Sequence, residues 1–217
     1  MIAARRADVD SGLPGRLPEG EVVLWQGAPS TAALVRSALH IRLVAIYFAI
    51  AAAIELAVAW SRAWTPAETL AALGVLAASA AAVIGLVWIF AALVGRSTVY
   101  TITTRRIVMR IGIALPVTFN VPFAIVEAAG LRLEPDGSGD IPLALGGSGR
   151  VGFIHLWPHV RPWRIGRPEP MLRCVPDARQ VAAILSRALG AGQIGKAAMA
   201  RAASSAGVAR AVAPAAA

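Results

Sequence analysis

Cysteine occurs once in this chain of 217 residues, as Cys174. A fold stapled by internal disulfides is thereby excluded, because a lone thiol has no partner within the chain. Lysine is as scarce, with Lys196 the only one among 21 basic residues. Charged side chains make up 15% of the chain, well below the roughly 25% of soluble domains, which excludes disorder as the overall state. Paired carboxylates, a nucleophile–base–acid triad, metal-ligand spacing and a glycine-rich phosphate loop ahead of a helix are all missing, so no enzyme, metal or other cofactor is expected. The sequence is instead 57% hydrophobic with a net charge of +9, a mean hydropathy of +0.65 and a pI near 11.4. Too much apolar surface for a water-soluble globule stands beside a strong positive charge.

The two properties occupy different places. Residues 43–60 and 70–94 are the long apolar runs. At 1.5 Å per residue the first spans roughly 27 Å, enough for a bilayer core, and the second spans it with room to tilt. Arg5, Arg6, Asp8 and Asp10 lead into Gly and Pro with no apolar stretch behind them, so no signal peptide is expected. The short connection 61–69 makes the two runs a transmembrane hairpin. Trp60, Trp64 and Trp88 near the span ends suit interfacial anchoring, and Arg36, Arg42, Arg96, Arg105, Arg106 and Arg110 on the flanks against Arg62 at the tip put both termini in the cytoplasm. The juxtamembrane set Arg42, Arg96, Arg105, Arg106 and Arg110 is expected to meet anionic headgroups, each contact worth about 1 kcal/mol. No nucleic-acid-binding motif accompanies the high pI.

Within the spans, Ala45, Ala49, Ala53 and Ala57 recur every four residues, as do Gly74, Ala78 and Ala82. Such stripes let helix backbones approach closely, either between the two spans or with other helices. Glu55 is the one ionisable residue inside either run. It either faces protein or snorkels to the outer interface, since exposure at the bilayer centre costs roughly 2.5–3.5 kcal/mol. With no second intramembrane acid or base, a proton relay is not expected.

From residue 97 the pattern changes to short runs rich in Val, Ile, Thr and Phe. Strands are predicted at 97–103, 106–113, 116–121, 123–133, 140–145, 150–156 and 170–175. A helix follows, with Asp177 and Gln180 as a capping box, Val181, Ile184, Leu185 and Ala188 as its apolar face, and Gly190 at its C-terminal end. The expected fold is an α+β membrane protein, in which the hairpin precedes a small antiparallel β-barrel or sandwich capped by that helix. The division is a segment 1–42, the hairpin 43–94, a cytoplasmic domain 95–190 and an Ala- and Arg-rich tail 191–217. Residues 111–131 are apolar enough to compete as a third span, against which Pro116, Asn120, Pro122 and Glu127 argue.

His155 and His159 are four apart, but Pro158 prevents the helix that would aim both at one metal. His40 lies before the apolar run, too shallow to ligate a bacteriochlorophyll magnesium, and Cys174 is expected to fill the domain core. The residues that stand out are Trp157, His159, Arg161, Trp163, Arg164 and Arg167, which combine types enriched at binding hot spots. Pro158, Pro162 and Pro168 hold that segment extended, reducing the entropy lost on docking; the other readings are a structural loop whose tryptophans plug the domain and one whose arginines meet lipid headgroups.

The segments VYTITTRRIVMRIGI (99–113), GSGDIPL (137–143) and PMLRCVPDARQVAAILSRAL (170–189) resemble the bacterial pleckstrin-homology-type (PH-like) domain. LPEGEVVLWQGAPS (17–30) and WPHVRPWRIGRPEPMLRCVPDA (157–178) are more specific, and with the rest resemble the PuhB-type photosynthetic complex assembly proteins of purple bacteria over residues 17–189. The resemblance implies two antiparallel sheets capped by a helix and a non-enzymatic role in assembling the photosynthetic reaction centre. It also implies location in the bacterial inner, photosynthetic intracytoplasmic membrane, with reaction-centre subunits or RC–LH1 assembly intermediates and membrane lipids as partners; a homodimer is also open. Two other readings are an anionic-lipid-binding module and a bacteriochlorophyll-delivery protein with a third span.

Overall fold

The structure, a computed structural model, describes residues 13, 15, 17–113, 115–146, 158–160 and 169–192. Strand β1 (Val23–Gly27) leads into a short helix, α1 (Thr31–Ala33), which continues as a π-helical stretch Leu34–Ala38. His40, at φ 52°, then redirects the chain into α2 (Ile41–Ser61). A tight turn joins α2 to α3 (Pro66–Ser97). Thr65 and Glu68 form a reciprocal capping box at the start of α3, with Pro66 in its first turn. That Thr-Pro-Ala-Glu signal starts the helix four residues ahead of the expected position 70.

The two helices are long and apolar enough to cross a membrane. They differ in length, 21 residues against 32, so α3 runs about 16 Å farther than α2. Its C-terminal turns are not left bare, because Ala33, Leu34 and Val35 pack against Ala91 and Val94 there, together with Cys174. Gly95 permits this approach, since a Cβ at that position would lie 2.9 Å from the Thr31 hydroxyl.

The remaining strands are β2 (Val99–Thr103), β3 (Arg106–Ile111), β4 (Val117–Pro122), β5 (Val126–Ala129), β6 (Arg132–Leu133), β7 (Gly139–Leu145) and β8 (Met171–Val175). Antiparallel pairing gives one sheet in the order β1-β2-β3-β4. In the other, β5 and β6 lie end to end along one edge of β7, continuous through the Gly130 N–H to Pro142 carbonyl bond of 2.9 Å, while β8 takes the opposite edge. The sheets share one core, with Tyr100, Ile102, Ile107 and Met109 from the first and Ile141, Leu143, Leu172 and Val175 from the second. Residues 178–192 form the closing helix, α4, whose Val181, Leu185 and Ala188 complete that core. Each fully buried Val, Leu or Ile side chain contributes about 1.5–3 kcal/mol.

The described residues of 111–131 form strands and turns in both sheets and no third span, in line with Pro116, Asn120, Pro122 and Glu127 arguing against one. Three expectations need correction. Among the described residues no ladder joins the two sheets, so the barrel is not closed; after Pro122 the chain turns through Phe123–Ile125 instead of extending the first sheet. The segment 1–42 contributes β1, whose Trp25 and Gln26 pair with Ile102 and Thr101, so the first sheet is built from both sides of the hairpin. Asp177 precedes α4, but at φ 49° it has left-handed backbone and not the extended conformation of an N-cap. The expected strand 150–156 and the tail beyond 192 lie outside the described residues.

Candidate functional site

The chain is tied together where the end of α3, β2, β8 and residues 158–160 meet. Thr98 follows the last residue of α3, and its N–H closes the helix on the Val94 carbonyl. Its hydroxyl lies 3.1 Å from His159 Nε2, and the Tyr100 hydroxyl lies 2.5 Å from His159 Nδ1. The Tyr100 oxygen also accepts the Arg173 N–H at 3.2 Å. With Nδ1 and Nε2 each at hydrogen-bond distance from a hydroxyl, which can donate or accept, the neutral imidazole is satisfied on both sides in either tautomer. Burial pushes the Tyr100 hydroxyl well above its ordinary value, so it stays protonated. His159 is 1% exposed, and burial, with the Arg173 charge beside it, lowers its pKa to about 3. It is a neutral core group.

This network fixes the root of the tryptophan- and arginine-rich segment. Arg173 donates to the Pro158 carbonyl at 2.9 Å and Met171 N–H to the His159 carbonyl at 3.0 Å, while Val160 bridges Pro170. The described residues on either side of 161–168 are thereby held side by side, with His159 hydrogen-bonded to the start of β8. Nε of Arg173 is the one buried side-chain polar atom among the described residues without a hydrogen-bond partner.

Cys174 makes a second anchor. It takes φ 51°, at a register shift between β7 and β8. Such a bulge frees backbone groups that must find other partners. The Cys174 N–H finds the buried Asp140 carboxylate at 2.9 Å, and its carbonyl accepts the Ser30 N–H at 2.8 Å. Its thiol, 3.3 Å from the Ser37 hydroxyl, is raised to about 11 by burial and is no nucleophile at neutral pH. The residue sits in the joint between α1, α3 and β8, not in the domain core where it was expected.

The remaining predicted residues separate. His159 lies inside and is not a surface contact. Trp157, Arg161, Trp163, Arg164 and Arg167 lie outside the described residues, as does His155. Of the juxtamembrane arginines, Arg42 and Arg96 are exposed at the ends of α2 and α3, and Arg110 pairs in register with Val99 beside the end of α3. Arg105 and Arg106 lie at the far end of the β2–β3 hairpin, about 16 Å along the sheet. Arg106 is also committed: its Nε and Nη2 each donate at 2.8 Å to the buried Glu21 carboxylate, which accepts the Thr103 hydroxyl at 2.7 Å. Burial alone would raise the Glu21 carboxyl, but the Arg106 and Thr103 hydrogen bonds win and hold it below the ordinary value. Hairpin folding, invisible to a count of residues from the apolar run, carries these two away from the end of α3.

Glu55 is half-buried with Phe48, Ala51, Ala52 and Val58, a spacing that marks the α2 face turned to α3. The stripe Ala45, Ala49, Ala53 and Ala57 is exposed, as are Gly74, Ala78 and Ala82. Nothing lies within 4 Å of a Cβ built on Gly74. The small-residue stripes therefore do not pair the two helices with each other.

The bacterial PH domain family matches residues 33–189. This chain belongs to that family. It is also 39% identical, over 178 residues covering 82% of this chain and 83% of the other, to an uncharacterized 23.7 kDa protein in the puhA 5′ region of Rhodobacter capsulatus. No solved structure matches it. The family match covers β2 to β8 and most of α4 and reaches back through both apolar helices to the end of α1, while β1, which completes the first sheet, precedes it.

Proposed function

We propose that the protein is a non-enzymatic, membrane-anchored assembly factor of the PuhB type that assists formation of the bacterial photosynthetic reaction centre. The observation that carries this reading is the 39% identity, over 178 residues, to a protein encoded beside the photosynthesis gene puhA. In this reading α2 and α3 span the inner membrane with both termini in the cytoplasm, as the arginine distribution favours. The PH-like domain binds reaction-centre subunits or assembly intermediates through Trp157, Arg161, Trp163, Arg164 and Arg167, and the outward small-residue stripes receive transmembrane helices.

The geometry supports a positioning device. The Arg173, His159 and Thr98 contacts connect the root of the 161–168 stretch to the end of α3. A partner gripped by the loop is thereby held at a set place beside the spans, which lowers the entropy lost on docking. Replacing Trp157, Arg161, Trp163 and Arg164 together by Ala is expected to lower reaction-centre yield severalfold while the protein itself accumulates normally. Normal yield in that variant excludes the loop from the mechanism. Lipid binding by the domain is the second reading, favoured by Arg42, Arg96 and Arg110 at the ends of the helices. Flotation with anionic vesicles across salt concentrations, with no reaction-centre subunit retained, would support it instead.

A further inference from the structure

The turn between β3 and β4 is apolar and exposed where a soluble domain would place polar residues. Leu115 is 81% exposed and Ile113 44%, with Val117 exposed at the start of β4. Gly112 closes the turn at φ 117°, where an added Cβ would strike the Leu115 carbonyl oxygen at 2.3 Å. The chain folds back on itself there, so the outward position of Leu115 is built into the backbone.

The position of the turn identifies what covers it. Gly112 and Ile113 line a cavity of about 180 Å³ together with Phe90, Val94 and Ser97 of α3. The turn is therefore level with the last turns of α3. At that level α3 itself exposes Trp88, Ile89 and Leu93, and Arg96 is the first charge after them. Arg110, beside the helix end, is the nearest charge preceding the turn. Ile113 and Leu115 thus extend the apolar belt of α3 sideways onto the domain, with arginines at its edge. Apolar side chains bordered by cations at the end of a membrane helix fit the boundary between headgroups and acyl chains.

We propose that the β3–β4 turn is a membrane-inserting element: Ile113 and Leu115 enter the headgroup–acyl boundary of the cytoplasmic leaflet and hold the PH-like domain flat against the bilayer. The proposal rests on α2 and α3 spanning that bilayer. Insertion would fix the tilt of the domain.

The test uses full-length protein carrying a single added cysteine, labelled in detergent with an environment-sensitive NBD fluorophore and reconstituted into phosphatidylcholine–phosphatidylglycerol vesicles. Cys174 is buried, so the unaltered chain reports background labelling. The positions are Leu115→Cys, Ile50→Cys in the middle of α2, and Glu19→Cys in the exposed turn before β1. The expected result is that the label at 115 loses most of its emission to lipid carrying a doxyl group at acyl position 5, loses less to position 12, and resists aqueous iodide. The label at 50 should favour position 12, and the label at 19 should respond to iodide alone. Iodide quenching at 115 with lipid quenching at 50 overturns the insertion while leaving the spans intact. Protection at 115 from both quenchers means that a second copy of the chain covers the turn, which also overturns it. Absence of lipid quenching at 50 overturns the spanning reading and the insertion together.

Discussion

His159 was expected at a surface and lies in the interior, and the difference is instructive. Its neighbours in sequence, Trp157 and Arg161, read as an interface; its partners in space, Thr98 and Tyr100, are some sixty residues away and no spacing rule reports them. Because its pKa falls from 6.5 to about 3 on folding, the unfolded chain binds the proton first. Stability from this group is complete above about pH 6.5 and declines as pH falls toward 3, by up to about 1.4 kcal/mol per unit. His159→Gln keeps a donor and an acceptor but cannot titrate. Melting temperatures in detergent between pH 6.5 and 4.5 should fall more steeply for the native chain than for that variant; parallel slopes would contradict the buried neutral imidazole. Glu21 acts in the same direction, since its pKa is also lowered, but its contribution is complete above the ordinary carboxyl value of 4.5 and is lost as pH falls through that region, so most of the decline between pH 6.5 and 4.5 belongs to His159.

Among the elements, the helices and most strands were legible because their signals are local. Continuous apolar runs marked α2 and α3, and alternation with turn residues marked β2, β3, β4, β7 and β8 nearly at their observed limits, whereas the single strand expected over 123–133 is a turn at Phe123–Ile125 followed by the separate strands β5 and β6. What was missed depends on pairing across the hairpin. The sequence Val22-Val23-Leu24-Trp25 carries a strand signal, yet only the β2 edge gives β1 its place. Arg105 and Arg106 were assigned to the membrane boundary by distance along the chain, and the β2–β3 turn carries them away from the end of α3. The overhang of α3 is stable because α1 covers it, and Gly95 makes that contact possible. Gly95→Leu should separate the two at a cost of about 1–3 kcal/mol, the usual penalty of overpacking. Hydrogen exchange is expected to speed up in residues 31–38 while the β2–β3 amides keep their protection. Unchanged exchange in 31–38 would show that the close approach does not hold the segment.

For the molecule as a whole, hydrophobicity and positive charge describe two parts joined rigidly. The apolar excess lies in two helices whose small-residue stripes face outward. The charge belongs to the domain side, where some arginines border the helix ends and others, such as Arg106 with Glu21, are internal fastenings. The Cys174 bulge and the His159 network lock the domain to the hairpin from two directions. Such a molecule is suited to hold a partner at one place and angle beside a membrane, which is what an assembly factor must do, and the relative encoded beside puhA indicates which partner to look for. The most direct test is affinity purification of the full-length protein from photosynthetically grown cells, with co-purifying proteins and pigments identified. The account predicts reaction-centre subunits in the eluate, lost when Trp157, Arg161, Trp163 and Arg164 are replaced by Ala. An eluate containing lipid but no reaction-centre subunit, from native and altered protein alike, would contradict it.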